Sequence, residues 1–351
     1  MMVELPGHGI SRVATPRTTW GRWVLARPSL PALIGLVLVV AFFGAQAPEL
    51  LGTAGLADVL DVAATLGIGA VAVALLLVAG QFDLSVGMLA LASSALTALL
   101  IHHAGWGIWP ALAASFGGAL LIGLVNGVLV VNTGLPSFLV TLASFLVLQG
   151  TTLAGMQSIG GSTRIEGLDD APGWASAATL FGSTTQLGDG RFRVSLLWWL
   201  GVTVVATWAL WRTKFGNAVF ASGGARTAAR ELGVPVRRTT VSLFCLSAIA
   251  GWLIGTLGLV RFAGVEVSNS GLSTGIDYIV IAVLGGCLLA GGYGSAFGAA
   301  IGALLYAVAH EGIELVGWDA PWFRAFLGVL LLVALLANGV VGHRLKGVPR
   351  S

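Results

Sequence analysis

The sequence predicts an all-α integral membrane protein of about ten spanning helices with both termini in the cytoplasm. Three observations lead there. Only 9% of the 351 residues are charged and 56% are hydrophobic, whereas soluble domains carry roughly 25% charged residues. Ten apolar segments approach the roughly 20 residues that a spanning helix needs. The basic residues also fall unevenly on the two sides that those segments define.

In chain order the spans are expected at 31–48, 59–79, 84–101, 109–131, 137–155, 195–211, 239–259, 276–290, 296–313 and 323–341. The first follows an arginine-bearing segment and ends near Ala45-Gln46-Ala47, which imitates a cleaved signal peptide. Its apolar run is long enough to span, and Pro48 would follow the cut directly, so it is expected to stay as a span. With the N-terminus inside, Arg12, Arg17, Arg22, Arg27, six basic residues within 212–238, and Arg344, Lys346 and Arg350 face the cytoplasm. Arg164, Arg191, Arg193, Arg261 and Arg324 face outward. Thirteen against five supports this orientation. Trp106, Trp109, Trp198, Trp199, Trp318 and Trp322 lie near span ends, as an interfacial belt would place them.

The organisation that follows is one membrane domain, 31–341, between cytoplasmic segments 1–30 and 342–351. Its largest external loop, 156–194, lacks the periodicity or size of an independent domain. A candidate inverted repeat relates spans 1–5 to spans 6–10. FGGALLIGLVNG at 116–127 resembles FGAAIGALLYAV at 297–308, and each precedes a Pro-x-Phe opening, at Pro136-Ser137-Phe138 and Pro321-Trp322-Phe323. An offset of five spans inverts orientation, as in transporters built around a midplane pathway.

Polar residues inside the spans are the candidates for function. Asp83 follows the Gly80-Gln81 break and begins a span, with Ser85 beside it. It reads either as a cap for the free backbone N–H groups or as a pathway group. Asn126, with Asn132 near the inner end of the same span, reads as an interhelical hydrogen-bond anchor or a substrate contact. Ser137 and Phe138 open the fifth span. The run 284–295 holds five glycines, but no Lys-Ser/Thr follows, so it is not a phosphate cradle. Glycines at this density let helices approach closely or unwind, which adds Gly285, Gly286, Gly291 and Gly292 to the pathway candidates. Cys245 and Cys287 read as buried thiols without metal or redox spacing. His102-His103 lies in an external turn without a metal constellation. Asp277, Glu311 and Glu314 at outer span ends are expected to pair with Arg261 or Arg324. No catalytic set is present, so an enzyme is not expected.

The cytoplasmic island 212–238 carries six basic residues and one acid, Glu231. Ala225, Ala228, Ala229 and Leu232 recur at helical spacing and share one face, while Arg226 and Arg230 share another. Gly233 and Pro235 stop the helix. Four residues, three of them alanine, bury too little apolar area to hold such a helix in lipid, so a protein groove is the expected dock.

Four segments carry a family resemblance: GQFDLSVG at 80–87, VNGVLVVNTGLPSFLVTLASFLVLQG at 125–150, FGNAVFASGGARTAARELGV at 215–234 and LGGCLLAGGYGSAFGAAIGAL at 284–304. In this order and spacing they resemble the permease subunits of ribose-type, monosaccharide ABC importers. Gln81-Phe82 replaces the usual Gly-Ile, Ala225-Arg226 stands where Asn-Glu is common, and Cys287 and Tyr293 occupy positions often Thr and Arg. The resemblance implies import of a ribose-, xylose- or galactose-like sugar across the inner membrane. It implies a homodimer or paired permeases around a central path, and an extracytoplasmic sugar-binding protein. ATP and Mg would be bound by a cytoplasmic ATPase subunit, with no cofactor in this chain and no nucleic acid. The coupling residues would be Gly216, Ala225, Arg226, Ala228, Ala229, Arg230, Leu232 and Gly233. The alternatives are an ABC permease for nucleosides or branched-chain amino acids, and an ion-coupled secondary transporter. The last would need paired acidic groups at mid-membrane.

Overall fold

A computed structural model describes residues 29–267 and 271–345, with side chains as far as 339. Arg12, Arg17, Arg22, Arg27, Lys346, Arg350 and the side chain of Arg344 lie outside the described residues. The chain is built from α1 (Ser29–Gln46), α2 (Thr53–Val78), α3 (Val86–His102), α4 (Ile108–Thr133) and α5 (Ser137–Gly160). A short α6 (Trp174–Ala177) precedes α7 (Ser195–Arg212), and the pair α8 (Lys214–Gly224) and α9 (Arg226–Glu231) follows it. Then come α10 (Val236–Phe262), α11 (Gly271–Leu284), α12 (Ala296–Val316) and α13 (Ala320–Leu345). Seven of these are long and apolar enough to cross a membrane: α1, α2, α4, α5, α10, α12 and α13. The shorter α3 and α11 are apolar as well. Four tryptophans and Arg212 make α7 less apolar than those seven.

Helices α2, α10 and α12 form the buried centre, while α1, α5 and α13 expose most of their apolar side chains, the arrangement expected where the solvent is lipid. Close approach at the centre rests on small-xxx-small pairs. A Cβ on Gly123 of α4 would lie 2.7 Å from the Phe244 carbonyl oxygen of α10, and one on Gly127 would lie 2.8 Å from Val241 Cα. Gly255 of α10 meets the Ala90 carbonyl of α3 at 2.3 Å in the same sense, and Gly302 of α12 meets Ile281 of α11 at 2.2 Å. These separations exclude any side chain, so the backbones themselves form the interfaces.

The pairings recur at an offset of five long helices. Helix α4 packs on α10 as α12 packs on α2, and α3 packs on α10 as α11 packs on α2. Likewise α3 meets α4 and α5 as α11 meets α12 and α13. The first helix of each half departs from this: α1 packs on α12, and α7 packs on α2.

Several expectations are corrected in detail. The eighth span was expected over 276–290, but its helix is Gly271–Leu284 and unwinds at Gly286, whose φ of +92° only glycine adopts readily. Helix α5 runs on to Gly160, and the segment after it holds elements that the sequence reading did not find. Strands β1 (Arg164–Ile165) and β4 (Val265–Glu266) pair antiparallel, and β2 (Thr184–Leu187) and β3 (Gly190–Arg193) form a hairpin. Strands of two to four residues are too short for a period-two signal. Trp199 is not interfacial but buried against α2, where a Cβ on Gly67 would lie 2.1 Å from its indole nitrogen. Cys287 is buried and Cys245 only half-buried, and both are free.

Candidate coupling surface and translocation elements

The break after α2 is tied down by backbone and hydroxyl groups from three other helices. Gly80 takes a φ of +70°, and Gln81 N–H returns to the Leu76 carbonyl at 2.9 Å. Phe82 N–H then donates to Ser137 Oγ at 2.9 Å and Leu84 N–H to Thr141 Oγ1 at 3.2 Å, both on α5. Asp83 Oδ1 accepts from Ser85 N–H at 2.8 Å and Ser85 Oγ at 2.6 Å, while Oδ2 accepts from Ser247 Oγ of α10 at 2.8 Å. Asn126 Nδ2 of α4 donates to Ser85 Oγ at 3.2 Å. The carboxylate is therefore a cap and an interhelical tie at once, and it is 2% exposed. Asp83, Ser85, Asn126 and Ser137 converge here as one knot. Phe138 does not join it and faces outward. Thr141 and Ser247 were missed; Thr141 lies one helical turn beyond Ser137, so that spacing could have found it.

The glycine-rich run after α11 forms the second irregular element. Gly285 and Gly298 touch backbone to backbone: a Cβ on either would lie within 2.4 Å of the other's carbonyl oxygen. Gly291 and Gly292 are both left-handed, with φ of +81° and +76°. Gly292 N–H donates to the Val78 carbonyl, at the end of α2, at 2.8 Å.

The basic island 212–238 folds into two helices rather than one. Thr213 caps α8 by accepting from Gly216 N–H at 3.2 Å. Gly216 is buried in the α7–α8 elbow, where a Cβ would lie 2.0 Å from the Leu210 carbonyl oxygen, so it shapes the turn and presents no surface. Helix α9 ends at Gly233, whose φ of +79° is the left-handed cap expected from sequence. Its alanine face is divided. Ala229 is buried against the rest of the chain, whereas Ala225 and Ala228 are exposed and Leu232 is 83% exposed. Arg230 is exposed, while Arg226 is half-buried with its Nε lacking a partner among the described residues. Burial, and then the neighbouring Arg230 guanidinium, hold Arg226 below the ordinary arginine range.

The two irregular elements and the island meet at one joint. A Cβ on Gly223, near the end of α8, would lie 1.9 Å from the Val78 carbonyl oxygen and 2.6 Å from Gly292 N. One on Gly291 would lie 2.9 Å from Gly80 Cα. Displacement of α8 therefore bears directly on the end of α2 and on the turn before α12.

The charges expected at outer span ends pair as expected in part. Arg324 donates to Asp277 Oδ1 at 2.7 Å, and Tyr306 OH to Oδ2 at 3.2 Å. Arg261 does not use Asp277, Glu311 or Glu314 but pairs with Asp61 of α2 at 2.7 Å, together with Arg193 at 3.1 Å. Glu311 instead contacts the His310 ring.

An apolar helical bundle with broken helices, a buried polar knot and an exposed two-helix appendage defines a polytopic membrane transport protein. Residues 55–335 match the family described as "Branched-chain amino acid transport system / permease component", and the chain belongs to that family. It is 30% identical over 316 residues to the fructose import permease protein of Rhizobium meliloti, covering 88% of this chain and 84% of that one. It is 27% identical over 331 residues to the ribose import permease protein of Escherichia coli strain K12, covering 92% and 98%. An autoinducer 2 import system permease protein of Photorhabdus laumondii is 27% identical over 308 residues, covering 88% and 90%. No solved structure matches the chain significantly.

Proposed function

We propose that this chain is the inner-membrane permease of an ABC importer for a monosaccharide, with ATP and Mg bound by a separate cytoplasmic ATPase and substrate delivered by an extracytoplasmic binding protein. The observation that carries the proposal is the α8–α9 pair, with α9 largely exposed and α8 joined backbone to backbone to both irregular elements. A surface with Leu232 almost fully exposed and the Arg230 guanidinium exposed beside it fits a groove lined by apolar groups and rimmed by acids. The sugar reading rests on the ribose and fructose import permeases, which the chain matches over most of their length. Ten spans with both ends inside, and a pair of such permeases around a central path, complete the reading. The recurrence of helix pairings at an offset of five supports an inverted repeat of spans 2–5 and 7–10.

The family description names branched-chain amino acids, which keeps an amino-acid substrate as a second reading. A zwitterion calls for a charge pair on its path. The buried Asp83 has its oxygens occupied by serine donors, and Asp277 is held by Arg324 and Tyr306. The same satisfaction of Asp83 counts against ion coupling through it.

Docking is tested by co-purification. Ala228→Glu places a charge on the exposed face of α9 and is expected to reduce recovery of the ATPase subunit with the permease at least tenfold, while the permease inserts and elutes normally. Recovery at the wild-type level contradicts the docking assignment.

A further inference from the structure

A cavity of about 520 Å³ lies between α2, α3 and α10, beneath the β1–β4 pair. None of the pathway candidates read from the sequence lines it. We infer that this cavity is the outer vestibule of the permease, the place where a neutral polyhydroxy solute enters the membrane after leaving the binding protein. The inference rests on the import reading above and locates its entry site.

Size and depth fit first. The volume falls within the roughly 300–1,000 Å³ of small-molecule sites. The cavity runs from the outer strands down to Ile254, eight residues before the end of α10 at Phe262, which is about 12 Å at 1.5 Å per residue. That is a little under half of a hydrocarbon core of about 30 Å.

The chemistry fits next. The wall is of small and apolar groups, Ala90 and Leu91 of α3 and Ile254, Gly255 and Gly258 of α10. Two hydroxyls, Thr65 and Ser94, donate to backbone carbonyls and keep oxygen lone pairs for a ligand. At the mouth stand Arg164, ion-paired to Glu166, and Glu266, all exposed, with the 69% exposed Phe262 ring carrying the Arg261 guanidinium 5.0 Å from its centroid. The free face of the ring for C–H groups and planar charged groups for hydroxyls suit a sugar-like ring. Two guanidiniums balance the two carboxylates, so the mouth favours neither an anion nor a cation.

The covering is also built to shift. Each strand of the pair has only two residues. The turn from α10 into β4 is made by Ala263 at a φ of +46°, the one non-glycine residue with a left-handed backbone among those described. Such strain at a hinge is stored where the surrounding structure holds it. Helix α3, which carries Ala90 and Ser94, starts directly after the Asp83–Ser85 knot. Movement at the knot therefore reaches the vestibule wall.

Gly258 supplies the test, because a Cβ there meets nothing within 4 Å. The complete importer, permease with ATPase and binding protein, is assayed in proteoliposomes for uptake of radiolabelled D-ribose and D-fructose. Gly258→Leu is expected to lower uptake at least tenfold. Gly201→Leu, at an equally open position on the outer face of α7, is expected to stay within twofold of wild type. Should Gly258→Leu fail to assemble, Gly258→Cys with Cys245→Ala and Cys287→Ala answers instead. It is expected to transport until a bulky membrane-impermeant maleimide is added from the binding-protein side, and then to lose at least tenfold. Undiminished uptake by Gly258→Leu or by the labelled cysteine variant overturns the vestibule. If the wild-type complex takes up neither sugar, the reading drawn from the ribose and fructose import permeases falls. Maleimide labelling then decides the vestibule alone, and an unreactive Gly258→Cys overturns it.

Discussion

At the scale of the residue, Asp83 shows how a single buried carboxylate holds a helix break in place. It accepts from the Ser85 N–H and hydroxyl, directly ahead of α3, and from Ser247 on α10. Sequence made Asp83 and Ser85 conspicuous, because a charge beside a glycine break in an apolar chain needs a partner. Ser247 was not legible, since it lies 164 positions away and only tertiary packing brings it near. Asp83→Asn keeps an oxygen for Ser85 and offers an amide to Ser247, which can accept. It is expected to retain most of the uptake, at a cost of about 1 kcal/mol. Asp83→Ala leaves buried donors without an acceptor and is expected to cost about 2–3 kcal/mol, seen as a lower unfolding midpoint of the purified permease. Loss of uptake in Asp83→Asn with an unchanged midpoint would instead identify a charge-dependent site.

At the scale of the element, the long helices were legible and the irregular pieces were not. Runs of apolar residues mark a spanning helix regardless of its neighbours. Where α11 ends depends on the backbone contact between Gly285 and Gly298, which no local pattern encodes. The orientation of α9 shows the same limit. Helical spacing put Ala225, Ala228, Ala229 and Leu232 on one face, but a helix of six residues beside a membrane domain divides that face between its own protein and the outside. The division is testable. Ala229→Glu buries a charge within the permease and is expected to cost at least about 2 kcal/mol, lowering the unfolding midpoint. Ala228→Glu is expected to leave the midpoint unchanged. Equal midpoints for the two variants would contradict the observed orientation.

At the scale of the whole molecule, composition made the all-α membrane class legible, and seven of the described helices are long and apolar enough to span. The packing then gives the repeat its firmer form, because pairings recur at an offset of five although the two halves share little visible sequence. The connection from the α8–α9 pair to the helix breaks was not legible, since Gly80, Gly223 and Gly292 are far apart in the chain and meet only through backbone. We propose that this joint transmits motion from a partner ATPase to the path. Gly223→Ala is the direct test, because its Cβ cannot fit between the Val78 carbonyl and Gly292 without displacing backbone, at a cost of about 1–3 kcal/mol. The measurement is sugar taken up per ATP hydrolysed by the complete importer in proteoliposomes. A ratio at least tenfold below wild type, with hydrolysis within twofold, is the predicted result; an unchanged ratio would contradict the claim that the joint couples the two.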